Sequence, residues 1–156
     1  MGNYTGTKKL TYKIQVVKGH KYKLSGYIYK VTGSSTVSVT GITNKKKTTV
    51  TVKDTVKIGG KKYKITAIGN SAFKNCKKLK KVTIGKYVTT IGKNAFYGDK
   101  KLKKIVIKTK KLKKVGKNAL KGISKTAQIQ VPKSKRSKYK KLFKKSTGYV
   151  STMKVK

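Results

Sequence analysis

One hexapeptide recurs three times, and that repetition limits the fold more than any other feature of the chain. Ile68-Gly69-Asn70-Ser71-Ala72-Phe73 returns as Ile91-Gly92-Lys93-Asn94-Ala95-Phe96 and again as Val115-Gly116-Lys117-Asn118-Ala119-Leu120, at separations of 23 and then 24 residues. The apolar positions around it keep the same register. Leu79 corresponds to Leu102, Val82 to Ile105 and Ile129, Ile84 to Ile107 and Val131, and Ile65 to Val88 and Leu112. The extra residue of the second interval falls between Ile107 and Leu112, where a loop is expected. A period of this length marks a stacked array, because a single unit cannot bury its apolar side except against its neighbours.

Each unit also changes period internally. Val82-Thr83-Ile84 and Ile105-Val106-Ile107 alternate as short strands do. Ser71-Ala72-Phe73-Lys74 and Asn94-Ala95-Phe96-Tyr97 read as single helical turns opened by Ser or Asn caps. Stacking such units yields a parallel ladder with strands about 4.8 Å apart.

Ile68, Gly69, Ala72, Phe73, Cys76, Leu79, Val82 and Ile84 together trace Ile-Gly-x-x-Ala-Phe-x-x-Cys-x-x-Leu-x-x-Val-x-Ile. This pattern resembles the BspA-like leucine-rich repeats of bacterial surface proteins. The second copy departs from it with Asp99 at the cysteine position, and the third has Leu120 and Ile123 where Phe and Cys are expected. The resemblance implies an α/β-type leucine-rich-repeat solenoid, mostly β, with a short parallel ladder and one helical turn per repeat. Three repeats are expected, near 65–87, 88–111 and 112–134. Residues 48–64 look like the family's N-terminal capping hairpin, so that 48–134 form the solenoid.

The ends are read from pattern alone. Residues 1–47 contain strand-like stretches at Leu10 to Val17, Lys21 to Thr32 and Thr36 to Thr40, and form either an N-terminal β-cap or a small β-module. Residues 135–156 read as a C-terminal cap: Tyr139, Leu142 and Phe143 share one face of a short amphipathic helix over the last rung, and Tyr149 to Val155 alternates as a terminal strand would.

Composition bears on function chiefly by exclusion. Lys and Arg number 44 against two acids, Asp54 and Asp99, and one histidine, His20, for a formal net charge of +42. Arg136 is the single arginine. Acid–base catalysis needs a carboxylate, a His or a tuned Lys beside a partner, and metal sites need clusters of His, Cys, Asp or Glu. Neither pool exists, so no enzyme, cofactor or metal is expected. No apolar run is long enough to span a membrane. Met1-Gly2-Asn3-Tyr4 has no apolar stretch of an export signal, so secretion would require a leader outside this sequence. Cys76, the one cysteine, excludes an internal disulfide and suits a reducing compartment or an exported protein without disulfides.

Individual candidates read mostly as structural. Cys76 is expected in the interior as a small apolar group. His20 sits in Lys18-Gly19-His20-Lys21, a solvated turn. Asp54 reads as a turn acid of the capping hairpin. Asp99 is expected in a loop or cap hydrogen bond, ionised among the lysines. The Ile-Gly pairs are turns, since no Gly-rich phosphate loop with a following Lys-Ser/Thr appears.

The lysines align across repeats. Lys77, Lys78, Lys80 and Lys81 correspond to Lys100, Lys101, Lys103 and Lys104. Stacked rungs would form a cationic ridge from these eight, with a like-charge cost in water of roughly 0.9 kcal/mol per adjacent pair before screening. Such a ridge attracts polyanions. The other reading is a solvated coat that serves solubility. Resemblance to the BspA-like proteins implies a non-enzymatic surface or secreted adhesion module. Its targets would be host or matrix proteins or anionic polymers such as teichoic acid or sulfated or sialylated glycans. Nonspecific nucleic-acid binding and a structural spacer role are the alternatives. One arginine is too few for base-edge readout by guanidinium forks.

Self-repulsion follows directly from the charge. On a compact globule of this mass the net charges would lie about 14 Å apart, beyond a Debye length of about 8 Å at physiological salt and well within about 30 Å at 0.01 M. The melting temperature is therefore expected to rise between about 10 mM and 300 mM NaCl, and a flat or falling trend in thermal melts would contradict this.

Overall fold

Three columns of backbone hydrogen bonds run the length of the molecule. The computed structural model describes residues 15–156. The elements in chain order are β1 (Lys21–Leu24), β2 (Tyr27–Val31), β3 (Thr36–Ile42), β4 (Thr49–Val52), β5 (Thr55–Ile58), β6 (Lys61–Ile68), β7 (Lys81–Ile84), β8 (Thr90–Ile91), β9 (Lys104–Ile107), β10 (Lys114–Val115), β11 (Gln128–Gln130), α1 (Arg136–Lys140) and β12 (Lys154–Val155). The candidate strand beginning at Leu10 lies mostly outside the described residues, and Gln15–Val17 are not in a strand.

The first column is a five-stranded parallel sheet in the order β12-β11-β9-β7-β4. Its register sets Val82, Ile105 and Ile129 side by side, as the repeat spacing requires, and adds Val50 beside Val82. The second column is a seven-stranded sheet, β1-β2-β3-β6-β8-β10, with β5 also paired to β6. Here β3, β6, β8 and β10 run parallel, while β1-β2-β3 and β5-β6 are antiparallel. The β5-β6 hairpin turns at Gly59-Gly60, both at positive φ. β4 does not belong to that hairpin: it is the first strand of the parallel ladder.

The third column corrects an expectation. Residues 71–75, 94–98 and 118–122 form turns, not helical turns. Within each, alternate N–H groups bond inside the turn and across to the next rung. Ala72, Lys74 and Cys76 donate to Gly69, Ser71 and Phe73, whereas Ser71, Phe73 and Asn75 donate to the carbonyls of Lys93, Ala95 and Tyr97. In a helix, successive N–H groups past the first turn would all bond within the segment instead of alternating between the turn and its neighbour. Ser71, Asn94 and Asn118 accordingly serve as left-handed residues, with φ of 56°, 55° and 57°, rather than as side-chain caps. Asn75, Gly98 and Gly122 supply a second left-handed position per turn. Asn and Gly occupy that region at least cost.

The solenoid has about five turns, not three, because β4 and β12 extend the ladder at both ends. The one α-helix among the described residues, α1, spans five residues and precedes β12, so the outermost element at this end is a strand. Leu142 and Phe143 lie beyond the helix. Tyr139 is fully buried: its hydroxyl donates to the carbonyl of Thr109 at 2.8 Å and accepts the Leu112 N–H at 3.0 Å. Thr109 lies in the loop that holds the extra residue of the second interval, so Tyr139 anchors that insertion.

One core runs through all the turns, from Tyr29 and Val31 to Phe143 and Met153. Equivalent residues stack on one another in it. Phe73 and Phe96 lie with ring centroids 5.5 Å apart and planes within 8°. The Ile-Gly pairs explain themselves by proximity: a Cβ on Gly92 would lie 2.7 Å from the backbone N of Asn70 and the carbonyl carbon of Gly69. Gly92→Ala is therefore expected to force adjacent rungs apart and lower stability by roughly 2–4 kcal/mol, within the range of strongly disruptive single substitutions. Urea denaturation checks it, and a loss below about 0.5 kcal/mol, as for an ordinary surface change, would contradict the close approach.

Candidate functional site

The eight ridge lysines all stand exposed at the corner where the turn column leads into the parallel sheet. Lys81 and Lys104 are register partners on β7 and β9. Lys80 and Lys103 are held beside each other by the Lys103 N–H, which donates to the Lys80 carbonyl at 3.0 Å. Lys77, Lys78, Lys100 and Lys101 precede them in equivalent positions of the same two rungs. The array is two rungs deep at the strand start. Thr49 takes the position before Lys81, and Gln128 the one after Lys104.

Asp99 lies next to Lys100 in sequence yet does not neutralise the ridge. It is fully buried in the column Cys76-Asp99-Ile123. Its Oδ1 accepts the Cys76 N–H of the preceding rung at 2.7 Å, and its Oδ2 is buried without a partner. Burial pushes its pKa up to about 8, against smaller opposing contributions from that hydrogen bond and from Lys45. The expectation of an ionised Asp99 is thus overturned: desolvation outweighs the surrounding lysines, and the carboxyl is largely neutral near pH 7. Cys76 is fully buried too, and burial, reinforced by Asp99, pushes its thiol up to about 11. A thiol held so far from its thiolate is inert.

The remaining candidates take up local roles. Asp54 accepts the Lys86 N–H at 2.8 Å and lies 3.4 Å from the Lys86 ammonium, tying the start of β5 to the loop after β7. His20 is exposed in its turn and edge-on to Tyr22 at 4.8 Å. Tyr87 has the ammonium groups of Lys64 and Lys86 over its ring at 5.2 and 5.4 Å. No group of three or more His, Cys, Asp or Glu side chains that could hold a metal occurs among the described residues.

The repeat pattern gave no sign of a second basic feature. A cleft of about 310 Å³ beside β11 is lined by Lys104, Gln128, Gln130, Lys133, Arg136 and Lys156, with Val131. The signal lay in composition: in a chain whose bases are otherwise lysine, the one arginine comes four residues after Pro132.

A stack of short parallel strands, glycine-tight turns and a continuous apolar core defines a leucine-rich-repeat solenoid. The chain belongs to the BspA-type leucine-rich-repeat family, whose six-copy repeat region matches residues 48–155. That match takes in the residues beyond 134 that carry β12. Solved structures agree in fold. A leucine-rich cell surface protein from Faecalibacterium prausnitzii is 26% identical, with a TM-score of 0.62 over 73% of this chain. Leucine-rich-repeat proteins from Bacteroides ovatus and Bacteroides capillosus match at TM-scores of 0.54 and 0.57, with 22% and 16% identity over 72% and 87% of the chain. The chain spans 37% and 38% of the length of the first two and 98% of the third. No curated protein matches it. No enzymatic family is indicated, and among the described residues no helix is long and apolar enough to cross a membrane.

Burial of Asp99 sets a pH dependence. Unfolding releases the carboxyl from about 8 to its ordinary value of 3.8. The unfolded chain thus loses this proton first, and folding stability is complete below about pH 4, falls as the pH rises, and stops falling near pH 8. The melting temperature is expected to be lower at pH 8 than at pH 5 by roughly 5–10 °C, corresponding to a few kcal/mol. Asp99→Asn, which keeps the acceptor for the Cys76 N–H, is expected to abolish most of that difference. An equal slope in the variant would show that other groups cause it.

Proposed function

We propose that the chain is a non-enzymatic binding module of a bacterial surface or secreted protein, and that it engages anionic polymers through its lysine ridge. The observation that carries this is the pairing of Lys80 with Lys103 and of Lys81 with Lys104 on neighbouring rungs, with no carboxylate exposed among them. Ladder spacing holds like charges about 4.8 Å apart at the backbone, a standing electrostatic cost that a bound anion would relieve. Family membership supports a binding or structural module, and the Faecalibacterium relative is described as a cell surface protein. Fixed spacing is what a solenoid adds over a flexible lysine-rich peptide, since the backbone positions that carry the lysines are set before the ligand arrives.

The test is a titration with heparin, teichoic acid, duplex DNA and a neutral glycan at physiological salt and at roughly 0.5 M NaCl, with a lysine-rich peptide as control. One anion is expected to survive the higher salt, and the peptide is expected not to reproduce it. Replacing Lys77, Lys78, Lys80, Lys81, Lys100, Lys101, Lys103 and Lys104 by Gln is expected to weaken that binding by at least about tenfold without unfolding the domain, as removal of several exposed phosphate- or sulfate-facing charges does. Unchanged affinity in the variant would refute the ridge. Equal binding of every anion, matched by the peptide, would leave the charge as a generic coat. Absence of binding at physiological salt would identify a spacer.

A further inference from the structure

We infer that the cleft beside β11 is an oxyanion subsite for a sulfate or phosphate ester group carried on a polymer. The inference deepens the polyanion reading above and rests on it, since Lys104 belongs to both the ridge and the cleft.

Composition makes this cleft unlike the rest of the surface. A depression lined by lysine alone would mean little in a chain with 43 of them. This one gathers the single arginine and two of the three glutamines, Gln15 being the third. The fold explains how they meet. On the outward side of β11, Gln128 and Gln130 alternate with the buried Ile129. Gln128 has Lys104 as its register partner on one side and Lys154 on the other. The backbone of Lys156 is clamped alongside β11: its N–H donates to the Ile129 carbonyl at 2.9 Å, and its carbonyl accepts the Val131 N–H at 2.8 Å. Pro132 ends the strand, and the turn that follows brings Lys133 and Arg136 over the same depression.

The chemistry of the lining selects the ligand. Four cationic side chains and two amides offer many N–H donors, and neither of the chain's Asp side chains lines the cleft. Guanidinium presents a planar fork that grips two oxygens at once, which an ammonium cannot do. The amides add directed donors without further charge. A group with three terminal oxygens and a single ester link uses such a set more fully than a lone carboxylate does. The cleft's 310 Å³ exceeds the roughly 30 Å³ share of one water many times over and leaves room for the attached sugar or glycerol unit.

The single arginine also makes the test clean, because its Nε–H gives one resonance in a proton–nitrogen correlation spectrum. Inorganic sulfate and inorganic phosphate are titrated separately near physiological salt, followed by a heparin-derived tetrasaccharide and a glycerol phosphate oligomer that ends in a phosphate monoester. The Arg136 signal is expected to shift saturably with at least one inorganic ion, and with the oligomer that carries the same ester. Gln128→Ala/Gln130→Ala, at exposed positions, is expected to weaken the response about tenfold, and Arg136→Lys to weaken the Gln128 and Gln130 amide shifts as much. A shift that grows without saturating, or affinities unchanged in both variants, would overturn the subsite and mark the effect as general screening. A third variant replaces the ridge lysines by Gln but keeps Lys104. It is expected to lose polymer affinity while the saturable Arg136 response to the inorganic ion persists. Retained polymer affinity there would refute the ridge and leave the subsite standing.

Discussion

The rest of the molecule depends on one geometric constraint: hydrogen bonds between consecutive turns in register. Parallel strands can pair only at about 4.8 Å, and here the constraint applies on three sides of each turn. The five-stranded sheet, the parallel part of the seven-stranded sheet and the column of turns all advance by the same step. Any side chain therefore meets its counterpart from the neighbouring turn at that distance. The close seating of Gly92 on the backbone of Gly69 and Asn70 follows from the same step. So does the division of labour in the turns, where every second N–H is given to the next rung.

Stacking of like on like favours the interior and penalises the exterior. Inside, Phe73 over Phe96 and Val82 beside Ile105 bury apolar area without any need for complementary shapes elsewhere in the sequence. A single polar substitution in such a column has no partner in the next rung. Asp99 is that case. Its neighbours in the column are Cys76 and Ile123, neither of which can satisfy a carboxylate, so one oxygen borrows a backbone N–H and the other goes without. The neutral form is what this environment accepts. On the outside the same rule sets lysine on lysine, and repulsion is moderated by screening, by splayed stems and by breaks in the column such as Gln128 between Lys104 and Lys154.

Legibility in the sequence followed the same division. Positions whose role depends on their own repeat were readable: the strands at Val82–Ile84 and Ile105–Ile107, the interior place of Cys76, and the loop holding the inserted residue. Positions whose role depends on the neighbouring turn were not. Ser71, Asn94 and Asn118 look like helix caps in isolation, because Ser and Asn suit both a cap and a left-handed turn. Only the inter-rung acceptors decide between the two. Asp99 looked ionised because charge counts along the chain carry no desolvation. β4 and β12 were hard to assign as rungs because their turns lack the Ile-Gly-x-x-Ala-Phe hexapeptide, although Val50 and Val155 continue the ladder's register. The exposed ridge was visible as an alignment of lysines. The cleft was not, since its residues come from β9, β11, the 3₁₀ turn and helix after Pro132, and the chain's last residue.

Charge and fold act on one another in a way that neither shows alone. A disordered chain with the same composition would spread its lysines apart, and its attraction for anions would vanish with added salt. The ladder prevents that relaxation by fixing the backbone of neighbouring lysines at a distance shorter than the Debye length at physiological salt. The resulting cost is carried by the core, whose stacked columns hold the rungs together irrespective of what decorates them. A solenoid of this kind is thus able to vary its surface composition widely at constant fold. In such a setting the departures from lysine carry more information than the lysines do. Thr49 and Gln128 bound the ridge, and Arg136 with Gln128 and Gln130 distinguishes one end of the sheet face from the rest.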